Sequence, residues 1–296
     1  MILAAKCRDQ FFQWRWPTGF ECPMCKSKEH CVLKTRELYQ CNHCHHQTSL
    51  TTGTIMESTK LPFRTWFLAI FLMTQTKNGI SALELSRQLG ISYNASWRLK
   101  HKLMQVMKER DDSHPLTGDV QIDDAYWGGE KHGDKRGRGS ENKHPFVAAV
   151  QTNDDGHPQY MRLSMVTSFR KKELELWAQK HLSGSPCCVV SDGLGAFKGI
   201  ADAGHQHTAI VTGGGHESVT NELFTWVNTM IGNAKNSLKG SYHSINPKHL
   251  PRYLAEFCYR FNRRYDMKAM LSRLGYMAAR TCPMPERLLK IAEAQW

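Results

Sequence analysis

Two cysteine pairs constrain this 296-residue chain more than any other feature. Cys22-Pro23-Met24-Cys25 and Cys41-Asn42-His43-Cys44 are separated by fifteen residues. A two-residue gap lets one tight knuckle present both thiolates to a single ion, and zinc takes four such ligands in a tetrahedron. Between the pairs, residues 31–40 alternate loosely through Val32, Leu33, Leu38 and Tyr39, which predicts a short hairpin and hence a zinc ribbon. A segment this small cannot bury enough apolar surface to fold unaided, so one Zn2+ supplies its stability. Four protein ligands leave no position for water, so that zinc is structural. Cys31, His30, His43, His45 and His46 are close enough in sequence to replace one ligand. Redox chemistry does not call for two symmetric pairs.

Lys and Arg number 39 against 27 Asp and Glu, a formal net charge of +12. Such an excess favours a polyanionic partner, either nucleic acid or an acidic membrane surface. With 41% hydrophobic and 10% aromatic residues, the chain has the means to build a core and is not mainly disordered. Its most apolar run, 66–73, is eight residues long, against the roughly 20 that span a bilayer. The N-terminus reaches Arg8 and Asp9 without the charged start and apolar core of a signal peptide. The expected location is therefore the cytoplasm, in association with the nucleoid, where disulfides are rare and cysteines bind metal or pack. Cys7, Cys187, Cys188, Cys258 and Cys282 are assigned to buried packing.

Residues 61–76 read as one buried helix beginning at Pro62, broken by Asn78-Gly79. A short helix follows from Ile80-Ser81 to Gly90. Ser92 then caps a longer basic helix from Tyr93 to about Lys108, with Trp97, Leu99, Leu103 and Met107 on its apolar side. This is a helix-turn-helix pattern, with Tyr93, Asn94, Ser96, Arg98 and Lys100 as candidate DNA contacts. An ordinary helical hairpin has the same pattern.

Asp111-Asp112-Ser113-His114-Pro115 reads as a linker. Strands are then expected at 120–127, 146–151 and 159–166, the last two joined at Asn153-Asp154-Asp155-Gly156. A helix over 171–181 leads to a buried strand, 187–190, that ends at Ser191-Asp192-Gly193. The loop after the first strand carries Lys131, Lys135, Arg136, Arg138 and Lys143, a candidate DNA contact. Three strands, a helix and a strand with an acid at its tip form the ribonuclease H-like α/β arrangement. Its two acids share divalent ions, and oxygen ligands suit two Mg2+ or Mn2+ ions that drive in-line phosphoryl transfer. Asp123 inside an apolar strand is costly unless used, but Asp124 competes with it and alternation does not separate them. A helix over 221–238 would place Asn221, Asn228 and Lys235, spaced by seven, on one polar strip. Glu217 and Glu222 compete for the third ligand position.

At this point the whole chain resembles insertion-sequence transposases of the family numbered fifteen-ninety-five. The likeness rests on Cys22-Pro-Met-Cys25, Tyr39-Gln-Cys41, the stretches 51–72 and 79–103, Ile122-Asp-Asp-Ala-Tyr-Trp-Gly-Gly129, Val190-Ser-Asp192-Gly193 and residues 226–264. The last block includes Gly240-Ser-Tyr-His243 and Glu256-Phe-Cys-Tyr-Arg-Phe-Asn-Arg-Arg264. The resemblance implies a zinc ribbon ahead of a DDE-type core, with catalytic Asp123, Asp192, Asn228 and Lys235. It prefers Asp123 over Asp124, and makes Asp123, Asp192 and Asn228 the ligands of the catalytic ions. Asn228 departs from an all-carboxylate triad but is a variant the family permits. The implied activity is strand cleavage and strand transfer at the terminal inverted repeats of an element, with target DNA as second substrate. A homodimer or larger synaptic assembly is expected, and no membrane.

Ten basic residues lie between Lys235 and Arg280, interleaved with Tyr242, Tyr253, Tyr259, Phe261 and Tyr265. This strip is expected to track phosphates, with Lys239, Arg263 and Arg264 as contacts; His243 and Glu256 are weaker candidates at the catalytic centre. The expected divisions are a zinc ribbon (1–52), a helix-turn-helix segment (53–114), a ribonuclease H-like core (115–265) and a basic helical tail (266–296). The rival readings are a domesticated DNA-binding regulator without catalysis and a structure-selective nuclease.

Overall fold

The computed structural model describes residues 2–128, 143–211 and 222–291. Lys131, Lys135, Arg136, Arg138, Glu217 and Asn221 lie outside them. The chain forms two compact units. One comprises Met1–Thr76, Ile80–Val106 and Tyr265–Lys290, and the other is built mainly from Met107–Arg264, with Lys77–Gly79.

The first unit opens with helix α1 (Ile2–Arg15), which the sequence pattern did not reveal. Strands β1 (His30–Leu33), β2 (Leu38–Cys41) and β3 (Gln47–Ser49) follow as an antiparallel sheet in that order. The hairpin pairs Val32 with Tyr39, as the alternation predicts. Tyr39 is buried beneath aromatic rings, with Trp16 at 5.2 Å, Phe12 at 5.6 Å and Phe20 at 5.9 Å between centroids. The ribbon therefore has an apolar anchor supplied by α1 and the segment after it.

Helix α2 (Phe63–Gln75) buries Trp66, Ala69, Ile70 and Met73, a one-sided stripe at helical spacing. Helix α3 (Ala82–Leu89) starts where Ser81 accepts a hydrogen bond from the Glu84 N–H, and stops at Gly90, whose φ of 64° few other residues adopt. Helix α4 (Tyr93–Asp112) is capped by Ser92, which accepts from the Ala95 N–H. It continues past Lys108 and absorbs Asp111 and Asp112, so the expected linker is instead a helix end. The reason is pairing that no local pattern records. Asp111 meets Arg263 at 2.7 Å, and Asp112 meets Arg162 at 2.8 Å.

The second unit is built on strands β4 (Asp119–Trp127), β5 (His144–Thr152), β6 (Pro158–Met165), β7 (Cys188–Asp192) and β8 (Gln206–Ile210), ordered β6-β5-β4-β7-β8. The first three form an antiparallel meander. Helix α5 (Lys171–His181) crosses over so that β7 runs parallel to β4, and the short helix α6 (Gly199–Asp202) leads to β8, parallel to β7. This is the ribonuclease H-like topology. One sheet face, with Val120, Ile122, Val147 and Val189, packs on Leu174, Trp177 and Ala178 of α5. The other, with Ala125, Phe146, Ala148 and Val150, packs on helices α7 (Thr225–Tyr242) and α8 (Leu250–Asn262) through Val227, Met230, Ala234, Leu250 and Leu254.

Helices α9 (Met267–Ala278) and α10 (Glu286–Lys290) belong to the first unit. Gly275 of α9 is required there, since an added Cβ would lie 2.1 Å from the Trp14 indole. Among the described residues, no helix is long and apolar enough to cross a membrane. Cys7, Cys187 and Cys258 are buried as expected, whereas Cys188 and Cys282 are exposed.

Candidate active site and metal centres

In the ribbon, the Sγ atoms of Cys22, Cys25, Cys41 and Cys44 all lie within 4.8 Å of one another. Each knuckle is closed by a backbone hydrogen bond onto its first cysteine, from Lys26 N–H to Cys22 O and from His45 N–H to Cys41 O, both 3.0 Å. The chain then reverses at Lys26 (φ 63°) and His45 (φ 57°), which turns the thiols inward. The backbone N–H of Cys44, then burial and the N–H of His43, act on the Cys41 thiol and leave it lowered to about 6. The N–H of His46 pulls Cys44 down, but burial and the three neighbouring thiols push it up to about 12. Four thiols this close do not all ionise unaided, whereas a divalent cation at their centre stabilises all four thiolates. The set therefore fits tetrahedral zinc. Neither Cys31, which is exposed on β1, nor His30, whose ring lies tilted against Phe20 with centroids 4.5 Å apart, belongs to this group.

The second group comprises Asp123, Asp124 and Asp192, whose carboxylate oxygens also lie within 4.8 Å of one another. Strand pairing explains the proximity. Ile122 is in register with Ser191, so Asp123 and Asp192 are the next residues of neighbouring parallel strands. One oxygen of Asp123 accepts from the Asp124 N–H at 2.8 Å, and one of Asp192 from the Leu194 N–H at 3.0 Å. Ser191, buried on the opposite face, donates to the Asp192 carbonyl at 2.9 Å and lies 2.8 Å from His207 Nε2. Three clustered carboxylates are compatible with hard divalent cations.

The competing aspartates alternate onto different sheet faces, although both belong to the carboxylate cluster. Asp123 alternates with Ala125, whose face is covered by α7, and Asp124 with Ile122, whose face is covered by α5. Helix α7 carries Asn228 and Lys235, both half-buried and seven residues apart. Burial lowers the pKa of the Lys235 ammonium and the like charge of Lys239 lowers it further, while Asp123 and Asp124 pull it back up. Lys235 thus lies within the field of the carboxylates. The start of α7 is fixed by a residue that sequence reasoning passed over. Gln121 Oε1 accepts from the backbone N–H of Trp226 (3.1 Å) and of Val227 (3.2 Å). Its signal was its position, two residues before Asp123 on the same strand face.

Several expected DNA contacts are buried or are held by other groups of the protein. Tyr93 and Asn94 are exposed, but Ser96 and Lys100 are fully buried, and Ser96 Oγ donates to the Ala82 carbonyl. Arg98 pairs with Glu286 at 2.8 Å. Arg263 is held by Asp111 and stacks 3.8 Å over Tyr259, and Arg264 donates to the carbonyls of Pro158, Gln159 and Phe261. Arg252 and Arg260 are buried, with Arg260 pairing Glu256 at 2.9 Å. Glu256 is itself fully buried and accepts from Tyr242 Oη. Lys239 is exposed and lines a cavity of about 300 Å³ with Trp127, His144 and His243. Lys135, Arg136 and Arg138 fall outside the described residues.

A family model described as an ISXO2-like transposase domain matches residues 115–262, and one described as a transposase zinc-ribbon domain matches residues 5–47. A Halobacterium salinarum protein described as an "uncharacterized protein in transposable element ISH50" is 28% identical over 118 residues. That match covers 38% of this chain and 38% of the relative, well under half its length. Among solved structures, the crystal structure of the Mos1 strand transfer complex is similar at 13% identity over 78% of this chain and 82% of that one, with a TM-score of 0.23. A likeness that distant carries no argument here. The transposase-domain match covers the whole ribonuclease H-like sheet with Asp123, Asp192 and α7, and the zinc-ribbon match takes in all four clustered cysteines. By these two matches the chain belongs to the ISXO2-like transposase family.

Proposed function

We propose that this chain is a DNA transposase that cleaves and joins strands at the terminal inverted repeats of an insertion sequence. The observation that carries the reading is the meeting of Asp123 and Asp192 at adjacent strand positions, on the sheet face covered by the helix that bears Asn228 and Lys235. Two Mg2+ or Mn2+ ions held by Asp123, Asp192 and Asn228 would activate the attacking hydroxyl and stabilise the departing oxygen. Lys235 would hold a backbone phosphate against the carboxylates, with Lys239 one turn further along the same helix face. Backbone N–H groups orient Asp123 and Asp192, which would reduce the reorganisation that metal binding requires.

One structural zinc in the ribbon would stabilise the first unit, and the exposed start of α4, at Tyr93 and Asn94, would meet repeat-end DNA. Synapsis of two element ends calls for at least a dimer, working on the nucleoid.

The test is magnesium-dependent joining of a labelled terminal-repeat oligonucleotide to plasmid. Joined product that disappears on chelation is the expected result. Binding without cleavage would reassign the chain as a regulator, and cleavage without joining as a nuclease.

A further inference from the structure

We propose that Gln121 is a positioning residue for the catalytic metal site, setting where Asn228 stands relative to Asp123. The inference rests on the reading of Asn228 as a metal ligand.

The first N–H groups of any α-helix lack partners within the helix, and a polar side chain just before it usually accepts from the second or third of them. At the N-cap position of helix α7, Phe224 makes no side-chain cap bond. The acceptor comes instead from strand β4. Gln121 Oε1 takes the N–H of Trp226 and of Val227, the second and third residues of the helix. A second anchor on the same turn, Trp226 Nε1 donating to the Gly156 carbonyl at 2.7 Å, resists rotation of the helix about the first.

The location of these bonds gives them a role beyond stability. Gln121 lies two residues, about 6.6 Å, before Asp123 on the same strand and face. Its bond ends at Val227, the residue next to Asn228. The path from Asp123 to Asn228 therefore runs through a short piece of rigid strand, one side-chain amide and one peptide unit of a rigid helix. An amide oxygen is a neutral, comparatively weak ligand for a hard divalent ion, so it tolerates little misplacement. Residues that orient a metal ligand without touching the metal typically contribute tenfold to a hundredfold in affinity or activity when removed.

The test uses the full chain and Mn2+ alone, titrated by electron paramagnetic resonance, with wild type, Gln121→Leu and Gln121→Glu compared. Leucine removes the acceptor at similar size; glutamate retains an oxygen acceptor suited to a helix N-terminus. The expected result is two Mn2+ bound by wild type and about a tenfold weaker second ion in Gln121→Leu. Gln121→Glu should restore that ion to within a few-fold of wild type. Amide hydrogen exchange at Trp226 and Val227 should quicken in the leucine variant alone. Should Gln121→Leu not fold, Gln121→Asn, one methylene too short to reach both N–H groups, replaces it and should show the same weakening. Unchanged binding of both ions in the variant lacking the contact, or a glutamate variant as weak as leucine, would overturn the inference. Failure of wild type to bind Mn2+ would instead overturn the reading of the site on which the inference depends.

Discussion

Asp123 of β4 and Asp192 of β7 follow directly on the last paired residues of two parallel strands, and their carboxylates lie within 4.8 Å. Side chains one position beyond a register pair point to the same face, which here is the face that α7 covers. Asp124 adds a third carboxylate to the same cluster although its place in the alternation belongs to the other face.

The two roles are separable by substitution. Asp123→Asn and Asp192→Asn should each lower metal-dependent strand joining by at least about a hundredfold, more than loss of an outer-shell partner costs. Asp124→Asn should cost less. Asn228→Ala should abolish strand transfer, while Asn228→Glu, which adds the charge an amide lacks, should retain some. Initial rates of joining at saturating Mg2+ check all five, and full activity of Asn228→Ala would sink its assignment.

The ribbon makes an independent prediction. The purified chain should contain one zinc per molecule by elemental analysis. Cys41→Ser should lower that content and expose the aromatic cluster around Tyr39, because metal binding and folding of such a unit are one equilibrium. Divalent chelation should shift tryptophan emission to longer wavelength as Trp16 loses its burial. An unchanged spectrum in metal-free protein would show that the aromatic anchor alone holds the ribbon.

Elements whose signals are local were legible in the sequence. Ser81, Gly90 and Ser92 mark their helix ends through caps that depend on a few neighbouring residues, and β4 to β7 of the second unit show in their apolar patterning and turns, whereas β8 (Gln206–Ile210) does not. What depended on distant partners was not. Asp111 and Asp112 look like a polar linker because Arg162 and Arg263 are 50 residues or more away in sequence. Which helix covers Asp123 and which covers the face of Asp124 is likewise set by distant elements. Ser96 and Lys100 were misread for a different reason. They fall in phase with the buried Leu103 and Met107 at steps of three and four, so helical periodicity already placed them inward.

If Arg263 serves the fold rather than DNA, its removal should register in stability. Arg263→Ala leaves Asp111, which is buried and whose pKa burial raises despite that arginine, without its closest cation. Breaking a buried pair on one side typically costs about 3–5 kcal/mol. Chemical denaturation should show a loss of that order, with the salt dependence of DNA binding unchanged.

Lys239 should behave in the opposite way. It is exposed on α7, so Lys239→Ala should leave the denaturation midpoint nearly unchanged. If it meets a phosphate, the slope of log binding constant against log salt should become shallower by about one. The same measurement on Arg264→Ala, whose guanidinium is occupied with backbone carbonyls, should show a stability loss and little change in slope.

His181 gives the fold a definite acid sensitivity. It is buried at the end of α5 beside Trp177, its Nδ1 makes no hydrogen bond among the described residues, and burial, reinforced by Arg162, lowers its pKa to about 3. The unfolded chain takes up a proton near pH 6.5, whereas the folded chain does not until about pH 3. Between those values the unfolded state binds more protons, so stability rises with pH. The contribution of a neutral His181 is therefore complete above about pH 6.5 and declines as pH falls toward 3, by up to about 1.4 kcal/mol per pH unit. His181→Phe, which cannot charge, should flatten the decline measured by denaturant unfolding between pH 7 and 5. An equally steep decline in that variant would assign the acid sensitivity to other groups.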